Sequence, residues 1–229
     1  MYKRQGYNSS AVADWVVGAV YTLVRGLHWR HTGIRSGAWP TDSPARELAA
    51  STVGLLGYGH IGQAVAARLA PLTRVVLYSD VRDAGGAGCR VGTAELLVRS
   101  DVLSVQLPLT DETRGLIGAD ELAAMPAGAV LISAGRGGVV DENALFRAVD
   151  SGHLGGAALD VFDTEPLAAD SPLRRHDRIL LSPHVAGVTR QAEERLMSLL
   201  QDNIGRVLRG APPLHRITAP RNHCGADRP

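Results

Sequence analysis

The chain has 229 residues, enough for one large domain or one and a half ordinary ones. With 45% hydrophobic residues, 21% charged residues and a net charge of +1, it has the composition of a soluble globular protein. It offers no basic field for nucleic acid or an acidic membrane surface. The longest apolar run, residues 15–24, is about half a membrane span and lies between Asp14 and Arg25, so it reads as a packed helix. Cys89 and Cys224 stand far apart and outside any metal-ligand spacing, which suits two reduced thiols in a cytoplasmic protein. The first residues lack the basic-then-apolar pattern of a signal peptide.

In chain order, Met1-Tyr2-Lys3-Arg4-Gln5 is what GTG TAT AAG AGA CAG encodes when GTG is read as a start codon. That string resembles the transposon mosaic end used to fragment DNA for sequencing. Residues 1–5 are therefore expected to be a non-native scar, with the true gene extending upstream, and are left out of fold reasoning. Residues 11–27 read as a helix capped by Ser9 or Ser10. Residues 28–46 are polar, with glycines, two prolines and two tryptophans, and read as an extended arm or loop. From Thr52 onward strands and helices alternate. The strand-like runs are 53–56, 75–78, 102–107, 129–132, 157–159 and 179–181, and the helix-like stretches between them are 61–70, 94–99, 119–125 and 142–151. Short, near-continuous apolar strands suit a sheet covered on both faces, and alternating β and α suits a doubly wound parallel sheet. A last helix is expected over 190–208, with Leu196, Leu199, Leu200 and Val207 on one side and Gly210 at its end. The tail from Arg216 is polar and expected to be loose.

The most informative stretch is Val53-Gly54-Leu55-Leu56-Gly57-Tyr58-Gly59-His60-Ile61-Gly62. An apolar strand runs into glycines spaced G-x-G-x-x-G, and a helical pattern follows and ends at Pro71. In this context Gly57 permits the turn, Gly59 lets a pyrophosphate approach the backbone, and Gly62 lets the helix pack against the strand. The N–H groups and positive dipole end of that helix face the phosphates. The next apolar run ends at Asp80, where a carboxylate would accept from the ribose 2′-OH of NAD and repel the 2′-phosphate of NADP. The bland alternative is a strand–helix–strand unit with chance glycines and a turn aspartate; the strand before and the helix after the motif weigh against it.

In doubly wound sheets ligands bind beyond the carboxyl ends of the strands. Residues 108–113 follow the third strand, 133–138 the fourth, 160–166 the fifth and 182–187 the sixth. Arg136, Glu165 and His184 thus project from the same edge as the dinucleotide loop. That trio suits hydride transfer to a 2-oxo acid. A guanidinium binds the carboxylate and polarises the neighbouring carbonyl. Histidine donates the proton that the developing alkoxide needs near neutral pH, and a glutamate fixes the imidazole tautomer. Singly, Arg136 reads as a surface arginine, Glu165 as a solvated loop acid and His184 as a strand-end residue. Convergence on one sheet edge favours the joint reading. The histidines at 28, 31, 153, 176, 215 and 223 occupy no such position and read as surface or structural.

The stretches GLLGYGHIGQAVAARLAP, DVLSVQLPLTDETRGLI, MPAGAVLISAGRGGVVDENAL, GGAALDVFDTEPL and ILLSPHVAGVT together make the chain resemble the D-isomer-specific 2-hydroxyacid dehydrogenase family over about residues 9–210. The resemblance implies a Rossmann-type NAD-binding domain and makes Arg136, Glu165 and His184 catalytic. It implies NAD contacts at Gly57, Tyr58, Gly59, His60, Ile61, Gly62, Asp80, Pro108, Thr113, Ala134, Arg136, Asp160, His184 and Gly187, with Asp160 facing the carboxamide. It also implies a 2-oxo or 2-hydroxy acid as the small-molecule partner, and a homodimer joined through the helix and arm of 9–46. Ser133 stands where the family usually has asparagine, and Ser182 where it often has threonine. The family's second, substrate domain is mostly absent. The expected organisation is then 1–5 scar, 6–188 NAD-binding domain, and 189–229 return helix and loose tail, a chain that binds NAD and is catalytically incomplete. The competing class is an NAD(H)-sensing co-repressor-like binding protein, which a lost catalytic residue would favour. Within enzymes, a phosphite dehydrogenase keeps the same trio, whereas a formate dehydrogenase carries glutamine at the position of Glu165.

Overall fold

A computed structural model describes residues 6–41 and 45–214. The expectations for residues 1–5, for Cys224 and for the tail from Arg216 fall outside the described residues. Two compact units are present: Asn8–Val188, and a smaller one that takes in residues 6–7 and 189–214.

The larger unit is built on seven parallel strands: β1 (Thr52–Leu56), β2 (Val75–Ser79), β3 (Cys89–Arg90), β4 (Val102–Val105), β5 (Val130–Ser133), β6 (Gly156–Leu159) and β7 (Ile179–Leu181). Their order is β3-β2-β1-β4-β5-β6-β7, every pairing parallel. The expected doubly wound α/β architecture is therefore present. Because successive side chains of a strand alternate between faces, each strand feeds two cores. On one face Val53, Leu55, Val76, Val130 and Ile132 pack with helices α1 (Ser9–Val24) and α3 (His60–Leu69). On the other, Leu56, Leu77, Leu103, Val105 and Leu131 pack with α4 (Thr93–Arg99), α5 (Ala119–Ala124) and α6 (Glu142–Asp150). Burying each such aliphatic side chain contributes about 1.5–3 kcal/mol before the entropy of ordering it. Arg68 of α3 reaches Asp14 at 2.7 Å and the Ser10 hydroxyl at 2.7 Å, tying α3 to α1.

Four local expectations need correction. Ser9 and Ser10 lie inside α1, whose N-cap is Asn8 without a side-chain cap bond. The first helix stops at Val24, where Gly26 takes a left-handed φ of 63°, and α2 (Leu27–Arg35) follows in the stretch expected to be an extended arm. α2 has no buried residue, so no apolar stripe announced it. The strand expected over 102–107 ends at Val105, and the short, exposed β3 was missed.

In the smaller unit α7 (Arg190–Leu208) starts at Thr189, whose hydroxyl accepts from the Ala192 N–H at 3.1 Å. Leu196, Leu199 and Leu200 are half-buried, and Val207 is 57% exposed. Among the described residues no helix is long and apolar enough to cross a membrane.

Candidate active site

β1 delivers its chain into Gly57, whose φ of 98° an L side chain rarely adopts. α3 then begins at His60 with Gly59 as N-cap, so the first-turn N–H groups of His60 and Ile61 have no acceptor within the helix. A Cβ at Gly62 would sit 2.3 Å from the Gly57 carbonyl oxygen, which is why the helix can approach only with glycine there. A Cβ at Gly59 would meet nothing within 4 Å. That open surface beside a helix N-terminus fits the pyrophosphate of a dinucleotide. The Tyr58 N–H donates to Asp80 Oδ2 at 2.7 Å and the Arg82 N–H to Oδ1 at 2.9 Å, so the acid at the tip of β2 lies beside the glycine turn, as its position in the sequence suggested.

The resemblance implies a cofactor contact at Tyr58, whose side chain is buried. Its ring is 2% exposed and stacks on Tyr78 with centroids 3.7 Å apart, and its hydroxyl accepts from the Gly88 N–H at 3.1 Å. The ring supports the loop from below, and only the Tyr58 backbone lies along it. Tyr78 in turn donates its hydroxyl to Asp83 at 2.7 Å, and the Arg90 guanidinium donates to the Asp80 carbonyl at 3.0 Å. Neither support was legible in the sequence.

β1 and β4 are neighbours at the point where strand order reverses, so the loops leaving them border a crevice. After β4, Thr113 donates its hydroxyl to the exposed Pro108 carbonyl at 2.6 Å and accepts from the Thr110 N–H at 2.8 Å, closing that loop into a turn. After β5, Ala134 is buried and Arg136 is exposed, with its guanidinium donating to the Gly135 carbonyl at 2.6 Å. Gly187 backs onto Asn8, whose Nδ2 would lie 2.6 Å from a Cβ there.

Glu165 and His184 meet beyond β6 and β7. His184 Nδ1 lies 2.8 Å from Glu165 Oε2, and the Phe162 N–H donates to Glu165 Oε1 at 3.1 Å. Burial alone would raise the Glu165 carboxyl. The hydrogen bonds from His184 and Phe162 and the charges of His184 and Arg136 outweigh it and hold the group below the ordinary glutamate value. Arg136 is thus near enough to act on Glu165 electrostatically. His184 has φ 57°, the one non-glycine among the described residues with positive φ. Such a conformation persists only where its surroundings impose it.

Asp160 imposes it. Its side chain is 1% exposed; Oδ1 accepts from the Ser182 hydroxyl at 2.5 Å and the Val185 N–H at 2.9 Å, and Oδ2 from the Ala186 N–H at 2.8 Å. The resemblance implies a cofactor contact at Asp160; the geometry also has its carboxylate pinning residues on both sides of His184. Ser182, which stands where the family often has threonine, supplies its hydroxyl to that pin. A cavity of about 520 Å³ adjoins the pair, walled by Phe162, Pro166, Leu167, Arg174, Leu181 and Pro183. The larger cavity, about 680 Å³, is bordered by Ser51, Asp101, Val102 and Val130 at the amino ends of the strands, away from this chemistry.

A doubly wound sheet with a glycine-rich turn, an acid at the second strand tip and a histidine hydrogen-bonded to a glutamate on the same edge defines a dinucleotide-binding oxidoreductase domain. Residues 17–186 match the family description "D-isomer specific 2-hydroxyacid dehydrogenase, NAD binding domain", and the chain belongs to that family. It is 38% identical over 210 residues to the (S)-sulfolactate dehydrogenase of Chromohalobacter salexigens, covering 89% of this chain and 68% of that one. It is 37% identical over 219 residues to the glyoxylate reductase of Thermofilum pendens, covering 91% and 65%. Its structure resembles that of a D-isomer specific 2-hydroxyacid dehydrogenase from Xanthobacter autotrophicus Py2 in complex with NADPH and MES, with a TM-score of 0.81 and 35% identity over 92% of this chain and 88% of that one. The chain spans about two thirds of the length of the two named relatives.

Proposed function

We propose that the chain carries the cofactor side and the chemical groups of an NAD-dependent 2-hydroxyacid dehydrogenase. The 2.8 Å His184–Glu165 pair carries this reading, because it stands on the sheet edge that also holds Arg136 and the dinucleotide turn. The backbone of Gly57–Gly62, Asp80, and the turns at Pro108, Thr113, Ala134 and Gly187 would hold the dinucleotide. When bound, its nicotinamide donates or accepts the hydride. Arg136 binds the carboxylate of the 2-oxo acid and draws charge toward the carbonyl oxygen. His184 gives its proton to that oxygen in reduction and takes it back in oxidation. Ionised Glu165 holds Nδ1 and so turns Nε2 toward the substrate. The carboxylate of Asp80 favours NAD over NADP.

The 229-residue chain itself should bind NAD and turn over little. The His184 and Glu165 side chains are 46% and 38% exposed, so water reaches the chemistry. In that high dielectric the pull of Arg136 on a carboxylate is on the order of 1 kcal/mol. Positioning of the two reactants, which can supply roughly 7–11 kcal/mol of a barrier, is then largely missing. A homodimer is part of the same reading, supported by the exposed Leu27, Ile34 and Trp39 of α2 and the segment after it. The test is NADH binding by the purified chain, followed by NADH oxidation with glyoxylate, hydroxypyruvate and pyruvate. Saturable NADH binding that survives His184→Ala, with turnover below about 1 s⁻¹, is expected. Absence of NADH binding would overturn the reading.

A further inference from the structure

Two acids that the chemistry above leaves unused, Asp163 and Glu142, lie where the Arg136 turn meets the Glu165 turn. Asp163 Oδ1 accepts from the Gly138 N–H at 2.7 Å. Glu142 Oε1 accepts from the Asp163 N–H at 2.6 Å. Between these bonds the turns touch backbone to backbone: a Cβ on Gly137 would fall 1.8 Å from the Phe162 carbonyl oxygen, so only glycine fits. The path continues, since the Phe162 N–H donates to Glu165 and Glu165 meets His184. Its far end is anchored in α6, whose N-cap Asp141 accepts from the Ala144 N–H at 2.9 Å. A half-buried carboxylate at Glu142 has a cost: burial, with the charges of Asp163 and Asp141, raises its carboxyl above the ordinary value despite the bond from the Asp163 N–H.

Arg136 follows β5 and His184 follows β7, with β6 between them. Substrate carboxylate and proton donor are therefore supplied by loops that the sheet alone does not hold together. We propose that Asp163 and Glu142 form a clasp that fixes the Arg136 turn against the Glu165–His184 pair, acting as positioning residues for the 2-oxo acid. The clasp rests on the functional reading given above. It sets the spacing of groups whose misplacement by about 1 Å can cost a hundredfold in rate.

The test uses the 229-residue chain, with NMR titration of the His184 ring beside NADH titration. Asp163→Ala should shift the His184 titration curve, with NADH affinity unchanged. Asp163→Asn, whose carbonyl oxygen still accepts from Gly138, should restore the curve. Glu142→Ala and Glu142→Gln should repeat the pattern from the other end, and they carry the test if Asp163→Ala does not fold. A merely structural role would lower the melting temperature and leave the His184 curve in place; that result, or failure of Asp163→Asn to rescue, overturns the clasp. Glu165→Gln is the control. If it moves the His184 curve and the alanine variants do not, the clasp alone falls; if it does not move the curve, the catalytic pair falls and the clasp with it.

Discussion

Replacing Asp160 with asparagine, nearly the same shape, should be almost as damaging as replacing it with alanine. Three donors converge on this carboxylate: Ser182 and Val185 on Oδ1, Ala186 on Oδ2. Whichever way an asparagine is turned, its NH₂ faces a backbone N–H, because both oxygens receive one. The Ala186 N–H belongs to a residue only 4% exposed, so losing its acceptor costs about 1–3 kcal/mol. Val185 and Ser182 are more open and can turn to water, at about 0.5–1.5 kcal/mol each. Part of this is returned as His184 relaxes from its φ of 57°. The net expectation is about 2–5 kcal/mol for Asp160→Ala and nearly that for Asp160→Asn, a fall in melting temperature of roughly 5–15 °C. Urea and thermal unfolding of the purified chain measure it. An asparagine variant within about 0.5 kcal/mol of the parent chain would refute the reasoning.

Two further outcomes follow from the same edge. Asp80→Ala should narrow the preference for NAD over NADP by removing the charge that opposes a 2′-phosphate, and should loosen the turn by removing the acceptor of the Tyr58 N–H; paired titrations with both cofactors decide it, and an unchanged ratio would sink the role of Asp80. Glu165 is depressed in the folded chain, so its contribution is present above the ordinary glutamate value and is lost as pH falls through the lower folded value. Glu165→Gln should therefore flatten the acid limb of the melting temperature against pH, and an unmoved limb would mean that the His184 contact adds nothing to stability.

How much of this was legible in the sequence depended on what leaves a periodic trace. The central strands were legible because parallel strands buried on both faces read as apolar runs, as Val75–Ser79 and Val102–Val105 do. The glycine turn was legible because Gly57 and Gly62 answer to backbone geometry alone. α2 left no trace, since a helix that buries nothing has no apolar period to betray it. β3 is two exposed residues, below the length at which alternation means anything. At the site, Arg136, Glu165 and His184 could be read because each follows a strand. The partners of Asp160 and the Gly138–Asp163–Glu142 contacts could not, since hydrogen bonds between distant loops impose no spacing on the chain. The inward turn of the Tyr58 ring was hidden for the same reason, because its stacking partner Tyr78 lies on the neighbouring strand.

The central claim, that the turn after β1 holds a dinucleotide, is tested most directly by NADH titration of Gly59→Asp. A side chain at position 59 enters open space and the backbone there has φ −71°, so the substitution fits the fold. Aspartate is also a favoured N-cap, so the melting temperature should hold or rise slightly. The new carboxylate stands where the phosphates are proposed to lie and opposes them by on the order of 1–3 kcal/mol, a roughly ten- to hundredfold loss of NADH affinity. A folded Gly59→Asp chain that binds NADH as tightly as the parent would place the cofactor elsewhere.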